Sequence, residues 1–177
     1  MSTDCIKKIT SRQSIRKYTS EPIPEAIIEE IVRIGTSAPS AGNRQPWKII
    51  IVTDKKLRDR LASDAYNQNF IAVAPVIYVI CAVPEESAER YQDRGRELYV
   101  IQDTAALTLN ILYGAHLHGY GACWIGAFNE EAVSKTLCIP SDMRPVSMIP
   151  VGKIGGGIPP MRKRKNISDI IIRERFD

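Results

Sequence analysis

Histidine is scarce in this chain, which has only two, and both lie close together at His116 and His118. Because they are two residues apart on a predicted helix, their side chains point to different sides of it. A metal pair would need one face, and a Ser-His-Asp triad would need a histidine outside this helix. We therefore interpret both histidines as helix-end residues and predict that the protein holds no metal.

Cysteine is also sparse, and its spacing follows no known pattern. The four cysteines are scattered without a C-x-x-C pair, at Cys5, Cys81, Cys123 and Cys138. This spacing argues against a disulfide framework and against a zinc site. It predicts reduced, mostly buried thiols in a cytoplasmic protein.

The chain lacks a long hydrophobic run. The segment MSTDCIKKIT at the N-terminus has no apolar stretch of the kind that a signal peptide contains. The longest apolar run, IAVAPVIYVICAV, is interrupted by Pro75. We predict no membrane-spanning segment and no membrane partner.

The glycine-rich motifs that bind nucleotides are incomplete. The segment GYGACWIG has Gly119 and Gly121, but it lacks the third glycine of a dinucleotide fingerprint and no predicted strand precedes it. The segment GKIGGG reverses the order of residues that a phosphate loop needs. The net charge of +4 is too small to indicate nucleic-acid binding by itself.

The chain does have enough apolar residues to form a core. With 177 residues, 44% of them hydrophobic, we expect a single domain over residues 1–177. The segment LYVIQDTAALTLNILYGAHLHG is apolar on nearly every side, which predicts a central helix buried on most faces. Further helices are predicted at 4–10, 24–35, 55–66 (after an N-cap at Asp54) and 130–138 (after Asn129), and strands at 47–52, 76–83 and 146–155. Long helices between three strands indicate an α+β fold with a small sheet rather than a doubly wound dinucleotide fold.

Three separate segments carry groups that suit an anion or an amide-binding ligand. In RQSIRK, the side chains of Arg12, Ser14 and Arg16 alternate along a predicted extended segment and so share one face. Arginine presents fixed pairs of donors that suit a phosphate. The second segment is the loop SAPSAGNRQP, with Asn43 and Gln45, which precedes a predicted core strand.

The third segment is MRKRK at residues 161–165. Taken alone, each segment has a plainer interpretation. RQSIRK is a solvated basic strand, the loop is an ordinary connection with turn residues, and MRKRK is an exposed run of charge.

Together, six segments occur in an order and spacing that resemble the nitroreductase family of flavin enzymes. They are SRQSIRKYTSEPIP, SAPSAGNRQPWKIIIV, FIAVAPVIYVICAV, GYGACWIGAFNEEAV, IPVGKIG and PPMRKRK, and the resemblance covers about residues 5–165. It implies a nitroreductase-like fold that works as an intertwined homodimer, with FMN in a cleft between the two subunits. The C-terminal arm from about residue 166 would pack on the partner subunit.

The resemblance also implies which residues hold the phosphate end of FMN. Arg12 and Ser14, with Gln13 beside them, match positions that reach the FMN phosphate and ribityl chain. Arg162 matches the closing phosphate contact, and Arg164 is a second candidate for that contact.

Other residues match positions around the flavin ring. Arg16 matches a cation near N1 and the C2 carbonyl, and Asn67, or alternatively Asn69, matches an amide at the pyrimidine edge. The backbone of Ile125 and Gly126 matches the backbone beside N5. The wall that the partner subunit lays against the ring is matched by Pro39, Ser40, Ala41 and Asn43.

These matches imply an FMN-dependent oxidoreductase. It would take hydride from NADH or NADPH and reduce a small electron-poor acceptor, of the nitroaromatic, quinone or flavin type, by a ping-pong mechanism. The flavin would carry the chemistry, so no side chain is assigned as a catalytic residue.

Three alternatives stay open at the level of sequence. The first is a flavin-binding or flavin-delivery protein with little turnover. The second is a reductive dehalogenase, since Tyr91 and Glu97 lie in the region of the short lid EESAERYQDRGREL. The third, an RNA-binding domain, is disfavoured because RQSIRK and RKRK lack stacking aromatic residues, so we predict no nucleic-acid partner.

Overall fold

The computed structural model describes residues 3–176, which form seven α-helices and one four-stranded antiparallel sheet. The helices are α1 (Thr3–Ser11), α2 (Glu25–Thr36), α3 (Lys55–Asp64), α4 (Phe70–Val73), α5 (Pro84–Arg94), α6 (Val100–Leu117) and α7 (Glu130–Leu137). The strands are β1 (Trp47–Val52), β2 (Val76–Ala82), β3 (Gly121–Ala122) and β4 (Arg144–Gly152). Shorter 3₁₀ turns lie at Ala41–Asn43 and Ile167–Asp169, and a π-helical turn lies at Gly95–Tyr99. This arrangement confirms the predicted α+β class.

Strand β2 lies between β1 and β4, and all seven of its residues are buried. Because side chains alternate along a strand, Tyr78 and Ile80 face one side of the sheet while Ile77 and Val79 face the other. Helices α2 and α6 cover the first side, and α3 and α7 cover the second. The core therefore consists of two apolar layers, one on each face of the sheet.

Two helices begin directly after the residues that the sequence predicts as N-caps. The carboxylate of Asp54 accepts a hydrogen bond from the backbone N–H of Leu57 at 2.9 Å. The side-chain oxygen of Asn129 accepts one from Ala132 at 3.0 Å. A helix cap of this kind contributes roughly 1 kcal/mol. Helix α5 begins at Pro84, since proline is favoured in the first turn of a helix.

Helix α6 is buried on one side only. Leu107 and Ile111 are fully buried against the sheet, whereas Ile101, Leu109 and Leu117 are 37%, 41% and 51% exposed. The prediction of a helix buried on most faces is therefore wrong for a single chain, which leaves an apolar stripe of α6 uncovered. The C-terminal segment is uncovered too, since all of residues 155–176 are exposed.

The structure also bears on the number of strands, the burial of the thiols and the character of the helices. The sheet has a fourth strand, β3, which was not predicted because two residues are too few to show an alternating pattern. The predicted burial of the thiols is right for Cys81 and Cys123 and wrong for Cys5 and Cys138, which are exposed. Among residues 3–176, none of the helices has the length and apolar character needed to cross a membrane.

Candidate functional site

Two of the three predicted binding segments meet in one cavity of about 280 Å³. One wall comes from residues 12–16 and the other from residues 159–164, so the two walls are far apart in sequence. The lining residues are Arg12, Gln13, Ser14, Arg16, Pro159, Pro160, Met161, Arg162 and Arg164. Four arginines, and six of the predicted site residues, are thereby brought together.

Residues 12–16 are held in an extended conformation beside β3. The backbone N–H of Ile15 donates to the carbonyl oxygen of Ala122 at 2.9 Å, and Ser14 forms a parallel bridge with Ala122. Because Ile15 is buried, the neighbouring side chains of Ser14 and Arg16 point the other way, into the cavity. A Cβ atom at Gly121 would lie 2.7 Å from Cγ2 of Ile15, so glycine is needed for this close approach.

The second wall depends on the path of the chain after β4. Backbone hydrogen bonds of 2.9 Å join residues 17–19 to residues 153–155, so the chain returns alongside the first wall. A proline pair at 159–160 then restricts the backbone as it passes the cavity. This path brings Arg162 and Arg164 to the same space as the N-terminal arginines.

The cavity carries a positive charge that ion pairs do not neutralise. None of its four arginines forms an ion pair with a carboxylate of residues 3–176. Since arginine keeps its proton in proteins, this charge is permanent. Burial raises the pKa of the adjacent Cys123 thiol, while Arg16, the Ser14 hydroxyl and Arg12 act to lower that pKa. The arrangement can bind a phosphate or a similar anion through charge-assisted hydrogen bonds.

Arg16 lies between the cavity and the segment that contains the predicted flavin-edge residues Asn67 and Asn69. Its guanidinium carbon lies 6.0 Å from the ring centroid of Phe70, the first residue of α4. Asn67 and Asn69 lie just before this helix, and the N–H of Asn69 donates to the carbonyl oxygen of Asn67 at 2.9 Å. Neither asparagine lines the arginine cavity, so the assignment of Asn67 to the flavin edge stays a prediction.

Ile125 and Gly126 lie after β3 and beside β4. Ile125 exchanges two backbone hydrogen bonds with Met148, at 2.9 and 3.0 Å, and its side chain is buried. Gly126 is exposed, and a Cβ atom there would have Trp124 Nε1 as its nearest neighbour, at 3.9 Å. The backbone at Gly126 therefore borders open space, but neither residue lines the cavity, and their contact with flavin N5 stays a prediction.

The loop that was predicted to face a partner subunit lies outside the arginine cavity. The backbone N–H of Ala41 donates to Oδ1 of Asp103 on α6 at 3.0 Å. The hydroxyl of Ser40 accepts a hydrogen bond from the N–H of Gln45 at 2.9 Å. These bonds fix the shape of the loop. The predicted residues that the chain does not bring to the cavity here are Pro39, Ser40, Ala41 and Asn43.

Asp103 was not among the functional residues predicted from the sequence. Its side chain is 7% exposed, and Oδ2 has no hydrogen-bond partner among the described residues. Burial raises the pKa of this carboxyl group, while the hydrogen bond from Ala41 lowers it. An acidic residue within the apolar segment VIQDTAALTL was the available signal. The lining residues Pro159, Pro160 and Met161 were also missed, because a proline pair next to a basic run gives no functional pattern by itself.

Known proteins similar to this chain share its fold and match most of its length. The model of the "Nitroreductase family" matches residues 9–73 and 62–153. A protein of Archaeoglobus fulgidus, whose name pairs NADH dehydrogenase with NAD(P)H nitroreductase, is 33% identical over 153 residues, or 84% of each chain. The FMN reductase [NAD(P)H] of Bacillus subtilis is 26% identical over 86% of this chain and 55% of its own length.

The solved structure of B. megaterium NfrA1 superposes with a TM-score of 0.89 at 28% identity. It covers 99% of this chain, which corresponds to 76% of the NfrA1 chain. The family match spans both the segment of the N-terminal arginines and the sheet that supports it. The chain belongs to the nitroreductase family.

Proposed function

We propose that the protein is an FMN-dependent NAD(P)H oxidoreductase that reduces a small electron-poor acceptor. The observation that carries the proposal is the cavity in which four arginines converge without a carboxylate partner among the described residues. Membership of the nitroreductase family supports the proposal, as does the similarity to the B. subtilis FMN reductase.

The residues of the cavity fit the phosphate end of FMN. A phosphate dianion needs several charged donors, and Arg12, Arg162 and Arg164 supply them. Gln13 and Ser14 add neutral hydrogen-bonding groups that suit the hydroxyls of the ribityl chain. One cluster of arginines suits a single phosphate group, which favours FMN over FAD.

When FMN is bound, it supplies the chemistry of accepting a hydride from NADH or NADPH and passing electrons to the acceptor. Arg16 contributes a permanent positive charge, which favours the additional negative charge of the reduced cofactor. Gly126 presents backbone without a side chain, so a planar ring can approach it closely. No acid or base side chain is assigned a step.

We also infer that the working unit is a homodimer in which each site uses both chains. The loop around Ala41–Asn43 lies outside the arginine cavity of its own chain, so it is free to complete the site of a partner. The exposed stripe of α6 at Ile101, Leu109 and Leu117 offers an apolar surface that a second copy would bury. The exposed tail at 167–176 supports the same inference, because its isoleucines have no core of their own to join.

Deleting the tail from Ile167 onwards tests the dimer. We expect light scattering to show a dimer for the full chain with FMN. The truncated chain should have an apparent mass closer to that of a monomer, and it should bind FMN more weakly. A matched variant keeps the length of the tail and replaces Ile170, Ile171 and Ile172 with serine. It shows whether the dimer depends on burial of these side chains or on the length of the tail. A monodisperse monomer that retains FMN would contradict the shared site.

The proposed cofactor is tested by titrating the flavin-free protein with FMN, riboflavin and FAD. Riboflavin lacks the phosphate, so we expect it to bind at least tenfold more weakly than FMN, as loss of a charge-assisted contact costs roughly 1.5–3 kcal/mol. Equal affinities for FMN and riboflavin would contradict a phosphate in the arginine cavity. The cytoplasmic location predicted from the scattered cysteines stays a prediction.

A further inference from the structure

The junction between α5 and α6 has an unusual backbone. Gln92 adopts φ 51° and ψ −134°, a conformation that residues other than glycine rarely adopt. A π-helical turn follows at Gly95–Tyr99 and leads directly into α6. Strained residues and single π-helical turns both concentrate at functional sites. The junction is therefore a place where the fold accepts strain in order to position particular side chains.

Four side chains of this junction form what we call the Arg–Tyr cluster: Arg90, Tyr91, Arg94 and Tyr99. The rings of Tyr91 and Tyr99 meet edge to face, with centroids 5.1 Å apart and an angle of 83°. The guanidinium of Arg90 lies 5.5 Å from the centroid of Tyr91, and that of Arg94 lies 5.3 Å from Tyr99. The Nε of Arg94 also donates to the Tyr99 hydroxyl at 2.9 Å. The cluster thus combines two aromatic rings with two exposed cations.

The two arginines of the cluster are the cations of this region that have no ion-pair partner among the described residues. The four carboxylates of α5 already have other partners. These pairs are Glu85 and Asp93 with Arg96, Glu86 with Lys48, and Glu89 with Arg44. Arg90 and Arg94 are consequently available to an external anion, and each is already oriented by a tyrosine ring.

The cluster borders the loop that the proposed function assigns to the flavin site. An ideal Cβ atom at Gly42 would lie 2.6 Å from the Tyr91 hydroxyl and 3.1 Å from a guanidinium nitrogen of Arg90. Gly42 has φ 56° and occupies the centre of the Ala41–Asn43 turn. A molecule that rests against this loop would therefore meet the edge of the Arg–Tyr cluster.

We propose that the Arg–Tyr cluster binds the anionic group of the electron acceptor, so that the protein prefers planar aromatic acceptors carrying a carboxylate or a similar anion. This inference rests on the proposed function. Arg90 and Arg94 offer paired donors to the anion of such an acceptor, and the rings of Tyr91 and Tyr99 hold the two guanidiniums in position. The short lid EESAERYQDRGREL thereby selects acceptors by charge.

The test compares two acceptors that differ in one charge, para-nitrobenzoate and para-nitrobenzamide. In each turnover a hydride and a proton reach the nitro group, which becomes a nitroso group and releases water while NADPH becomes NADP⁺. For the FMN-loaded wild type we expect a kcat/KM for the benzoate about tenfold above that for the benzamide, the range of one charge-assisted contact. In the double variant Arg90→Gln/Arg94→Gln this preference should vanish, through a fall in kcat/KM for the benzoate.

A binding measurement separates this proposal from the proposed function. Benzoate and benzamide cannot be reduced, and ligand-observed NMR gives their dissociation constants on the FMN-loaded protein. We expect the wild type to bind benzoate more tightly and the double variant to lose this difference. If neither nitro compound is reduced, the acceptor of the proposed function is not a nitroaromatic of this type, and the NMR result still decides the role of the cluster.

The matched control is Arg96→Gln, which removes a cation of the same lid that is paired with Glu85 and Asp93. It should leave the benzoate preference intact, and circular dichroism should show that all variants remain folded. An equal preference in the wild type and the Arg90→Gln/Arg94→Gln variant would overturn the proposal. So would a double variant in which KM for NADPH rises instead, because the arginines would then bind the nucleotide phosphates.

Discussion

Replacing Arg12 or Arg162 with glutamine should weaken FMN binding through the phosphate and leave the flavin ring unaffected. The two arginines come from opposite ends of the chain and line the same cavity. Arg12 is half-buried, whereas Arg162 is exposed. Water therefore screens the interaction of Arg162 with the phosphate more strongly than that of Arg12. With roughly 1.5–3 kcal/mol for a charge-assisted contact, we expect the dissociation constant to rise about 30-fold for Arg12→Gln and about tenfold for Arg162→Gln.

The assay is equilibrium titration of the flavin-free protein, followed by the quenching of flavin fluorescence. Each variant is titrated with FMN and with riboflavin, which shares the ring but lacks the phosphate. We expect the riboflavin dissociation constants to stay close to that of the wild type. Higher ionic strength should reduce the difference in affinity between FMN and riboflavin, because it screens the attraction of the arginines for the phosphate.

Lys163→Gln is the matched control, since it removes the same charge from a neighbouring residue that does not line the cavity. Its FMN affinity should stay within about twofold of the wild type, as expected of an exposed charge without a defined contact. If Lys163→Gln weakened FMN as much as Arg162→Gln, the effect would belong to the net charge of the tail. If Arg12→Gln weakened riboflavin as much as FMN, Arg12 would not act through the phosphate.

Three further outcomes can be measured on the same protein. Arg16→Gln should lower the midpoint potential of bound FMN in a spectroelectrochemical titration, whereas Arg12→Gln should leave that potential nearly unchanged. Two thiols should react rapidly with Ellman's reagent near neutral pH and two only after unfolding, because burial raises the pKa of Cys81 to about 11 and also raises that of Cys123. The hydrogen bonds from Arg144 lower the pKa of Glu130, so their contribution is present above the ordinary glutamate pKa and is lost as the pH falls below about 4. In Arg144→Gln, urea unfolding should therefore show a loss of about 0.5 kcal/mol at neutral pH that disappears in acid, and an equal loss at both pH values would contradict this account.

The structural features that depend on residues close together in the sequence could be predicted from the sequence. Asp54 and Asn129 were identified as helix caps because each needs only an N–H group three residues ahead. The buried strand β2 was recognised from its unbroken apolar run. Strand β3 was not predicted, because its two residues are defined by hydrogen bonds to β4 rather than by any pattern of their own.

The parts of the site could be predicted from residue patterns, whereas their assembly into one site was implied only by the family resemblance. The alternation of Arg12, Ser14 and Arg16 was readable from the sequence, and these side chains do face one cavity. That Arg162 joins them depends on the return of the chain along residues 17–19, which is a long-range contact without a local signal. The same holds for Asp103, whose position beside the Ala41 loop follows from the packing of α6 and not from its neighbours in sequence.

The separation of the Ala41–Asn43 turn from the arginine cavity was anticipated only through the family resemblance. Composition and periodicity describe one chain, and they carry no information about which surfaces a second copy completes. The exposed stripe on α6 shows the same limit, because the apolar pattern that predicted burial on most faces does not distinguish the core from a subunit interface.

The most direct test of the proposed function is anaerobic mixing of the FMN-loaded protein with NADPH or NADH in a stopped-flow spectrometer. We predict that the visible absorbance of the bound flavin is lost at a rate fast enough to support turnover, and that it returns when an electron-poor acceptor is added after the nucleotide is exhausted. If the flavin stays oxidised with both NADPH and NADH, the protein is not an NAD(P)H oxidoreductase. It would then be a protein that binds or delivers FMN.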